Sequence, residues 1–274
     1  MSPLDWGRLA PVWKHFASTG LRAEDLEPFG PRLRGPSVLV GSGQGLVTAG
    51  LRRHAPPVLA LDRAPGMVFA NPGGAGAAGG RILADGIALP VADGRAGSAV
   101  LNTGVLDPSH PELGEALLAE LRRVLRPGGR ALVAGFVPSG DWEVAARELG
   151  LLDGCVQRND RILALWREAR NPAALIGHLM AWTGCPPLEV AARLQRHRAH
   201  AAGLVQLFDR VAADLAALGH DPARYLEECY AGPFPVFAPE PLRQAVRDAG
   251  LAIEEESDPA ATRGILLLLC RKPE

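Results

Sequence analysis

Short apolar runs alternate with longer segments of helical periodicity along much of the chain. The first run is Val38 to Val40, and a helical pattern over Leu46 to His54 separates it from a second run that ends at Asp62. Continuous apolar runs of this length are typical of strands buried on both faces of a parallel sheet. The pattern therefore predicts a strand-helix-strand unit over Ser37 to Asp62.

The alternation continues on both sides of a long central segment. It predicts strands over 81–84, 99–102, 131–136, 251–257 and 264–271, and helices over 111–125 and 241–249. We expect Arg126-Pro127-Gly128-Gly129 to end the first of these helices, because proline removes a backbone donor and glycine accepts a left-handed cap. Together these elements predict an α/β fold. The segment 71–80, NPGGAGAAGG, interrupts the pattern and is interpreted as a flexible connection.

Residues 138–239 show helical periodicity and form a predicted insert. Their apolar faces are Leu175, Ile176, Leu179, Met180 and Trp182, and Leu204, Leu207, Phe208, Val211, Leu215 and Leu218. Ligands of doubly wound sheets bind beyond the carboxyl ends of the strands, and the insert follows such an end. We therefore expect the insert to cap the substrate pocket, with a structural extension or a dimer surface as the alternatives.

Composition limits the classes of partner. The chain has 274 residues, is 47% hydrophobic and carries a formal net charge of −1, so no overall field favours nucleic acid or an anionic membrane. Its length suits one domain with an elaboration. The run 264–270 is too short to span a bilayer, and residues 1–16 lack the apolar core of a signal peptide. No stable membrane insertion is expected.

The cysteines carry no metal-site signature. They are Cys155, Cys185, Cys229 and Cys270, with no CxxC pair of the kind that structural zinc sites use. They are interpreted as reduced thiols, which favours a cytoplasmic location.

The glycine turn after the first strand separates two kinds of nucleotide site. Gly41, Gly43 and Gly45 form GxGxG, whereas a dinucleotide site has GxGxxG. The third glycine of that longer motif would have to stand at Leu46 or Thr48. The spacing disfavours a nicotinamide oxidoreductase.

Several motifs occur in one order: GSGQG, Asp62, the DGIALPVADG turn, RPGG, and a final helix and strand pair ending in RKP. In this combination the chain resembles the class I S-adenosylmethionine-dependent methyltransferases, particularly the methyltransferase type 11, or ubiquinone/menaquinone C-methyltransferase, type. The resemblance covers roughly 37–135 and 239–273. It implies a Rossmann-like, doubly wound, mostly parallel seven-stranded sheet with an antiparallel last strand.

The resemblance also implies S-adenosyl-L-methionine as cofactor and S-adenosyl-L-homocysteine as product. Asp62 would accept the ribose hydroxyls, Asp85 the exocyclic amine of adenine, and Gly86 would lie beside the adenine. The implied cofactor-binding residues are Gly41, Ser42, Gly43, Gln44, Gly45, Asp62, Arg63, Met67, Asp85, Gly86, Asn102 and Thr103.

The resemblance divides the chain into three parts. Residues 37–137 and 240–274 would form the methyltransferase core, and 138–239 the helical cap. Residues 1–36 would form an N-terminal helical lid in which Trp6 and Trp13 are candidates for covering cofactor or substrate. A helix packed outside the sheet is the alternative for this segment.

Two positions depart from the family pattern. Leu39 stands where an acidic residue often precedes the glycines, and Ser98 stands where an aspartate often opens the fourth strand. Both leave room for weakened cofactor affinity or a divergent role.

The catalytic residues are not defined by the sequence. Asp107 and His110 follow strand four and are candidates at the pocket rim, with a loop cap or a solvated side chain as the alternative. His178 is a candidate base, with a buried, satisfied histidine as the alternative. His197 and His200 lie one helical turn apart, but the adjoining arginines favour a basic solvated face over a metal site.

The leading hypothesis is an enzyme that methylates a small, largely apolar molecule, with a quinone-type ring carbon or a phenolic oxygen as the acceptor. Methyl transfer is an in-line displacement, so the protein mainly aligns the groups and excludes water. The rival is a catalytically silent cofactor-binding or protein-interaction subunit. The hypothesis predicts a small-molecule partner and no nucleic acid, and it leaves a homodimer open.

Overall fold

The computed structural model describes residues 4–16, 20–70 and 79–274. The chain forms two compact units. The first, here called the sheet unit, comprises Ala17–Val137 and Phe237–Glu274. The second, the helical unit, comprises Met1–Phe16 and Pro138–Val236. Of the predicted flexible connection 71–80, residues 71–78 lie outside the described residues. Gly79 and Gly80 belong to a strand instead, so this part of the prediction was wrong.

The sheet unit is built on one seven-stranded sheet. Its strands are β1 (Ser37–Val40), β2 (Val58–Asp62), β3 (Gly79–Leu83), β4 (Ala96–Leu101), β5 (Leu125–Phe136), β9 (Ala252–Glu256) and β10 (Ile265–Arg271). Their order is β3-β2-β1-β4-β5-β10-β9, with β1 to β5 parallel and β10 antiparallel to both its neighbours. The Rossmann-like, mostly parallel seven-stranded sheet is confirmed.

Successive side chains of a strand point to opposite faces of the sheet, and both faces are covered here. Val38 and Val40 pack into one hydrophobic cluster together with Leu121. Leu39 packs into the other cluster together with Leu51. The helices of this unit are α3 (Leu46–His54), α4 (Pro65–Ala70), α5 (Pro111–Val124) and α12 (Pro239–Asp248). The continuous apolar strands are therefore explained by two covered faces.

The RPGG segment differs from its predicted role. Helix α5 ends because Leu125 adopts an extended conformation, and β5 begins at this same residue. Gly128 and Gly129 exchange backbone hydrogen bonds with Lys272, so the segment belongs to a strand pairing. The helix ends before this segment, so the prediction of a glycine cap here was wrong, although Gly128 does adopt a left-handed φ of 69°. At the final helix Gly250 adopts a left-handed φ of 72°.

The helical unit contains α1 (Trp6–Leu9), α2 (Trp13–Phe16), α6 (Gly140–Glu148), α7 (Asn159–Glu168), α8 (Pro172–Thr183), α9 (Pro187–Arg196), α10 (Arg198–Ala217) and α11 (Pro222–Tyr230). A small antiparallel sheet joins β6 (Leu152–Asp153), β7 (Val156–Gln157) and β8 (Phe234–Pro235). The predicted apolar face of α10 is buried at Phe208, Val211 and Leu215. It is half-buried at Leu204 and Leu207, and the prediction fails at Leu218, which lies past the end of the helix and is exposed. The helical character of the insert is confirmed.

The N-terminal segment is divided between the units. Residues 4–16 pack within the helical unit, where His15 Nε2 lies 2.9 Å from Asp214 Oδ2 and the Tyr225 hydroxyl donates to the Arg8 carbonyl. Leu26 and Phe29 instead belong to the core of the sheet unit. A lid role for the first helices stays a prediction.

Among the described residues, the helices are all too short or too polar to cross a bilayer.

Candidate cofactor site

The glycine turn joins β1 to α3 in a conformation that the sequence pattern requires. Gly41, Gly43 and Gly45 have φ values of 73°, 52° and 91°. L-residues with a side chain rarely adopt this left-handed region, so three glycines in alternation are needed for this path. The turn leads directly into the N-terminus of α3, where unpaired backbone N–H groups favour polar or anionic ligand atoms.

Asp62 lies at the carboxyl end of β2 and is bonded to the turn. Its Oδ2 accepts the backbone N–H of Gly43 at 2.9 Å, and its Oδ1 accepts that of Ala64 at 2.9 Å. Burial raises the pKa of Asp62 above its ordinary value, and these two backbone hydrogen bonds partly oppose the shift. Each carboxylate oxygen has a second lone pair, so both remain able to accept a ligand hydroxyl.

The residue that follows β4 is hydrogen-bonded to the same turn. The Asn102 side-chain amide donates to the Gly41 carbonyl at 2.7 Å, and its Oδ1 accepts the backbone N–H of Thr103. A Cβ added at Gly41 would lie 2.1 Å from Val105 Cγ2. Gly41 is therefore needed both for its φ and for the close approach of this loop.

Asp85 and Gly86 follow β3, and they have different surroundings. Asp85 is exposed, and its Oδ1 accepts the backbone N–H of Ile87 at 3.2 Å. Gly86 is buried, and an added Cβ would lie 2.5 Å from Leu117 Cδ2 and 2.8 Å from Val40 Cγ1. Packing against the core accounts for the glycine at 86, independently of any adenine.

The remaining residues of the predicted set differ in exposure. Ser42 and Met67 are buried, Arg63 is exposed, and Gln44 and Thr103 are half-buried. The Ser42 backbone N–H donates to the Leu61 carbonyl at 2.9 Å, which fixes the turn against β2.

Parallel pairing brings the predicted side chains to one edge of the sheet. Because β3, β2, β1 and β4 are adjacent and parallel, their carboxyl ends lie side by side. Asp85, Asp62, the glycine turn and Asn102 follow these ends in that order. This edge is where open α/β sheets bind ligands.

Asp107 has an unusual arrangement in the loop after β4. Its Oδ1 accepts hydrogen bonds from the Ser109 backbone N–H and the Ser109 hydroxyl. Its Oδ2 is buried and has no hydrogen-bond partner in the described part of the chain. His110 instead lies beside Glu112, with Nδ1 and Oε1 3.3 Å apart. Asp107 therefore caps its loop through Oδ1, as the alternative prediction had it, and keeps Oδ2 as a free acceptor atom.

The histidines of the helical unit differ from their expected surroundings. His178 is exposed and stacks on Trp182 at 5.6 Å, so it is not the buried histidine that the sequence favoured. His197 is buried, with Nε2 2.9 Å from Glu148 Oε2, whereas a solvated face was expected. Its ring centroid lies 6.2 Å from that of His200. Across the described residues, no three His, Cys, Asp or Glu side chains form a metal-binding group.

The two departures from the family pattern have structural roles. Leu39 is fully buried in the core beneath α3. The Ser98 hydroxyl accepts the backbone N–H of Arg34 at 2.7 Å. Both residues stabilise the sheet unit without a ligand.

One set of contacts near the site was missed from the sequence. Arg123 on α5 donates to the Leu89 and Val91 carbonyls, to Asp93 and to both carboxylate oxygens of Glu120. Glu120 in turn accepts the Leu89 backbone N–H. The only sequence signal was a Glu and an Arg three residues apart on a helix, which is common on solvated faces.

Part of the chain matches a known protein family, and the match agrees with this geometry. Residues 38–133 match the family model described as a methyltransferase domain. No curated protein sequence matches the chain.

Several solved structures are similar to this chain over most of its length. A methyltransferase in complex with the Trm112 methyltransferase activator of Haloferax volcanii is 15% identical, with a TM-score of 0.51 and coverage of 99% of each chain. The 1,6-didemethyltoxoflavin-N1-methyltransferase of Burkholderia thailandensis is 17% identical, with a TM-score of 0.49 and coverage of 96% of this chain and 81% of that one. The magnesium protoporphyrin IX methyltransferase of Synechocystis is 13% identical, with a TM-score of 0.47 and coverage of 91% and 79%.

The first of these likenesses shows the fold, and the family match covers the strands that carry the site. Residues 38–133 of the sheet unit therefore match a methyltransferase domain, and the sheet has the Rossmann-like methyltransferase fold. S-adenosylmethionine is the cofactor of this domain class. The residues present fit it: the Asp62 carboxylate retains acceptor capacity beside a glycine turn that ends at a helix N-terminus.

Proposed function

We propose that the chain transfers a methyl group from S-adenosylmethionine to a small, largely apolar molecule. The observation that carries this proposal is the set of Asp62, Asp85, Asn102 and the glycine turn along one sheet edge, inside the matched domain. When bound, the cofactor supplies an electrophilic methyl group on a positively charged sulfur.

The chain's own residues have separate tasks in this proposal. Asp62 accepts the ribose hydroxyls, Asp85 the adenine amine, and the glycine turn lets the backbone approach the ligand. Asp107 Oδ2, buried and unpaired within the described residues, accepts a proton or a hydrogen bond from the methyl acceptor.

Calorimetry with S-adenosylmethionine and S-adenosylhomocysteine tests the cofactor assignment. We expect micromolar to submicromolar dissociation constants, and absence of binding by both at about 1 mM would overturn it. Methyl-labelled cofactor incubated with a panel of phenols, hydroxyquinones and nitrogen heterocycles then tests transfer, with labelled product as the readout.

Asp107→Asn tests the acceptor role within that assay. The variant should bind S-adenosylhomocysteine as tightly as the parent and transfer methyl roughly 100-fold more slowly, the lower range for loss of a general base. His110→Asn is the matched control in the same loop and should retain transfer. Equal rates for both variants would remove Asp107 from the reaction.

The silent-subunit alternative makes a different prediction. Such a protein would bind cofactor and leave the whole acceptor panel unmethylated. Leu39 and Ser98, which motivated this alternative, have structural roles that are compatible with an active enzyme.

A further inference from the structure

A surface cavity of about 620 Å³ lies in the helical unit. Its lining comes from the small antiparallel sheet, from the start of α7 and from the segment that follows α11. The lining residues are Asp153, Val156, Arg158, Asp160, Ala231 and Pro233. All of them belong to the helical unit, so the cavity is formed by one unit alone. Its volume is in the range of small-molecule binding sites.

Strand register places a carboxylate beside an apolar side chain in this cavity. Asp153 on β6 pairs with Val156 on β7, and Val156 pairs with Pro235 on β8. Directly paired residues of antiparallel strands project from the same face of the sheet. The Asp153 carboxylate and the Val156 side chain are therefore neighbours, and Ala231 and Pro233 add apolar surface to the lining.

The charges of the lining residues do not cancel. Arg158 donates to both carboxylate oxygens of Asp160, from Nε at 3.1 Å and from Nη2 at 2.9 Å, so these two residues form a neutral pair. Hydrogen bonding to Asp160 raises the pKa of Arg158, and the charge of Asp153 adds to this shift, so Asp153 lies near the pair. Among the described residues, none forms a hydrogen bond or an ion pair with the Asp153 carboxylate. The cavity therefore carries one uncompensated negative charge.

A further arginine contacts the turn between β6 and β7. Arg147 Nη1 donates to the Gly154 carbonyl at 3.1 Å, and its Nε donates to Glu143 Oε1 at 2.9 Å. Glu143 balances the charge of Arg147. At the start of α7, the positive end of the helix dipole is offset by Asp160, which lies in the first turn. Neither positive group compensates Asp153.

We propose that this cavity binds a small organic amine, with its protonated amino group at Asp153 and its apolar part on Val156, Ala231 and Pro233. An ammonium carries three donors, so it can donate to the carboxylate and to water at the same time. An exposed ion pair contributes little by itself, so contact with the apolar residues has to supply part of the affinity. The inference concerns the helical unit and does not depend on the proposed function.

Cys155 supplies a reporter for this site. It is exposed and directly precedes Val156 in the chain. Alkylation with a trifluoromethyl reagent in a Cys185→Ser background gives one fluorine resonance, because Cys229 and Cys270 are buried. We expect hexylammonium to shift this resonance saturably, with a dissociation constant on the order of 1 mM. At the same ionic strength, 1-hexanol and hexanoate should leave the resonance in place, since neither carries a positive charge.

Methylammonium tests the contribution of the apolar part. It has the same charge as hexylammonium and lacks the alkyl group that contacts Val156. Its binding should be at least roughly tenfold weaker, because each buried methylene adds to the affinity.

Asp153→Asn tests the contribution of the carboxylate, since it removes the charge and keeps the shape. It should weaken hexylammonium binding roughly fivefold, a loss between those of an exposed ion pair and of a charged hydrogen bond. Asp141→Asn is the matched control, because Asp141 is an exposed aspartate on α6 outside the cavity, and it should change the affinity less than about twofold. Circular dichroism checks that each variant is folded. No saturable shift with hexylammonium, an equal response to hexanoate, or parent-like affinity in Asp153→Asn would overturn the inference.

Discussion

At the scale of single residues, Asp62 has a structural role and a proposed binding role. Its carboxylate fixes the glycine turn through Gly43 and the following helix through Ala64, while remaining able to accept ligand hydroxyls. A residue with both tasks affects stability and binding together when it is changed. The two effects have to be measured separately.

Replacing Asp62 should weaken the cofactor site. We expect Asp62→Ala to reduce S-adenosylmethionine binding by about 1–3 kcal/mol, since a charged hydrogen-bond acceptor is lost. It should also lower the free energy of unfolding, because two backbone N–H groups lose their partner. Calorimetry and urea denaturation measure the two effects.

Asp258→Ala is the matched control for Asp62→Ala. Asp258 also accepts a backbone N–H in a turn, from Ala260 at 2.9 Å, but in the connection between β9 and β10. Asp258→Ala should leave cofactor affinity unchanged. Unchanged affinity in Asp62→Ala would remove Asp62 from the site.

Cofactor affinity should also depend on pH through Asp62. In the proposed site the ionised carboxylate, not the acid, accepts the ribose hydroxyls, and burial raises the pKa of Asp62. Affinity should therefore be full above the raised pKa and fall as the pH is lowered through it, beginning at a higher pH than for an ordinary aspartate. Calorimetry across acidic pH measures this decrease.

Asp62→Asn provides the comparison, because the amide does not titrate. Its affinity should be lower at neutral pH and should lack the Asp62-dependent decrease. The same acid decrease in both proteins would assign it to the ligand or to another group.

At the scale of elements, Arg123 holds the turn after β3 against α5. One guanidinium contacts two carbonyls and two carboxylates, and Glu120 completes the set by accepting the Leu89 backbone N–H. The hydrogen bond from Arg123 lowers the pKa of Glu120 below its ordinary value. These contacts position the chain that leads from Asp85 into β4.

Arg123→Lys should destabilise the sheet unit by about 1–3 kcal/mol, because an ammonium cannot reproduce the planar set of donors. Since the folded-state pKa of Glu120 is lowered, its contribution is present above its unfolded-state pKa and is lost as the pH falls through the folded value. The variant should lose less stability over that acidic range than the parent does.

Urea denaturation at neutral and acidic pH measures both parts of this prediction. Arg122→Lys is the control, since Arg122 is exposed on the same helix. It should unfold like the parent at each pH. Equal stability of the two variants would contradict the role given to Arg123.

At the scale of the whole molecule, most of the helical unit is an insertion between two points of the sheet unit that lie close together. The Phe237 backbone N–H donates to the Phe136 carbonyl at 2.8 Å, so the chain returns beside the point where it leaves β5. A short linker can span such neighbouring ends with little added loop entropy.

We expect a variant that lacks residues 1–16, and in which a short Gly/Ser linker replaces 138–236, to fold and to bind S-adenosylhomocysteine within roughly tenfold of the parent. Circular dichroism and calorimetry measure these outcomes. An unfolded product would show that the two units depend on each other for folding.

The hydrophobic pattern alone determined most of the sheet unit. Strands buried on both faces must be continuously apolar, and a left-handed turn needs glycine, so β1, the glycine turn, α3 and β2 were all predictable. The order of the motifs carried the family resemblance that implied the cofactor, and parallel pairing explains why those motifs meet at one sheet edge.

Tertiary structure decided what depends on partners distant in the chain. The RPGG segment pairs with Lys272, Ser98 accepts from Arg34, and Tyr230 meets Phe16. These partners lie more than 60 positions away, beyond the reach of any local periodicity. The sequence thus determined the elements and the glycine turn, whereas long-range packing decided which polar groups are satisfied and which remain free to bind.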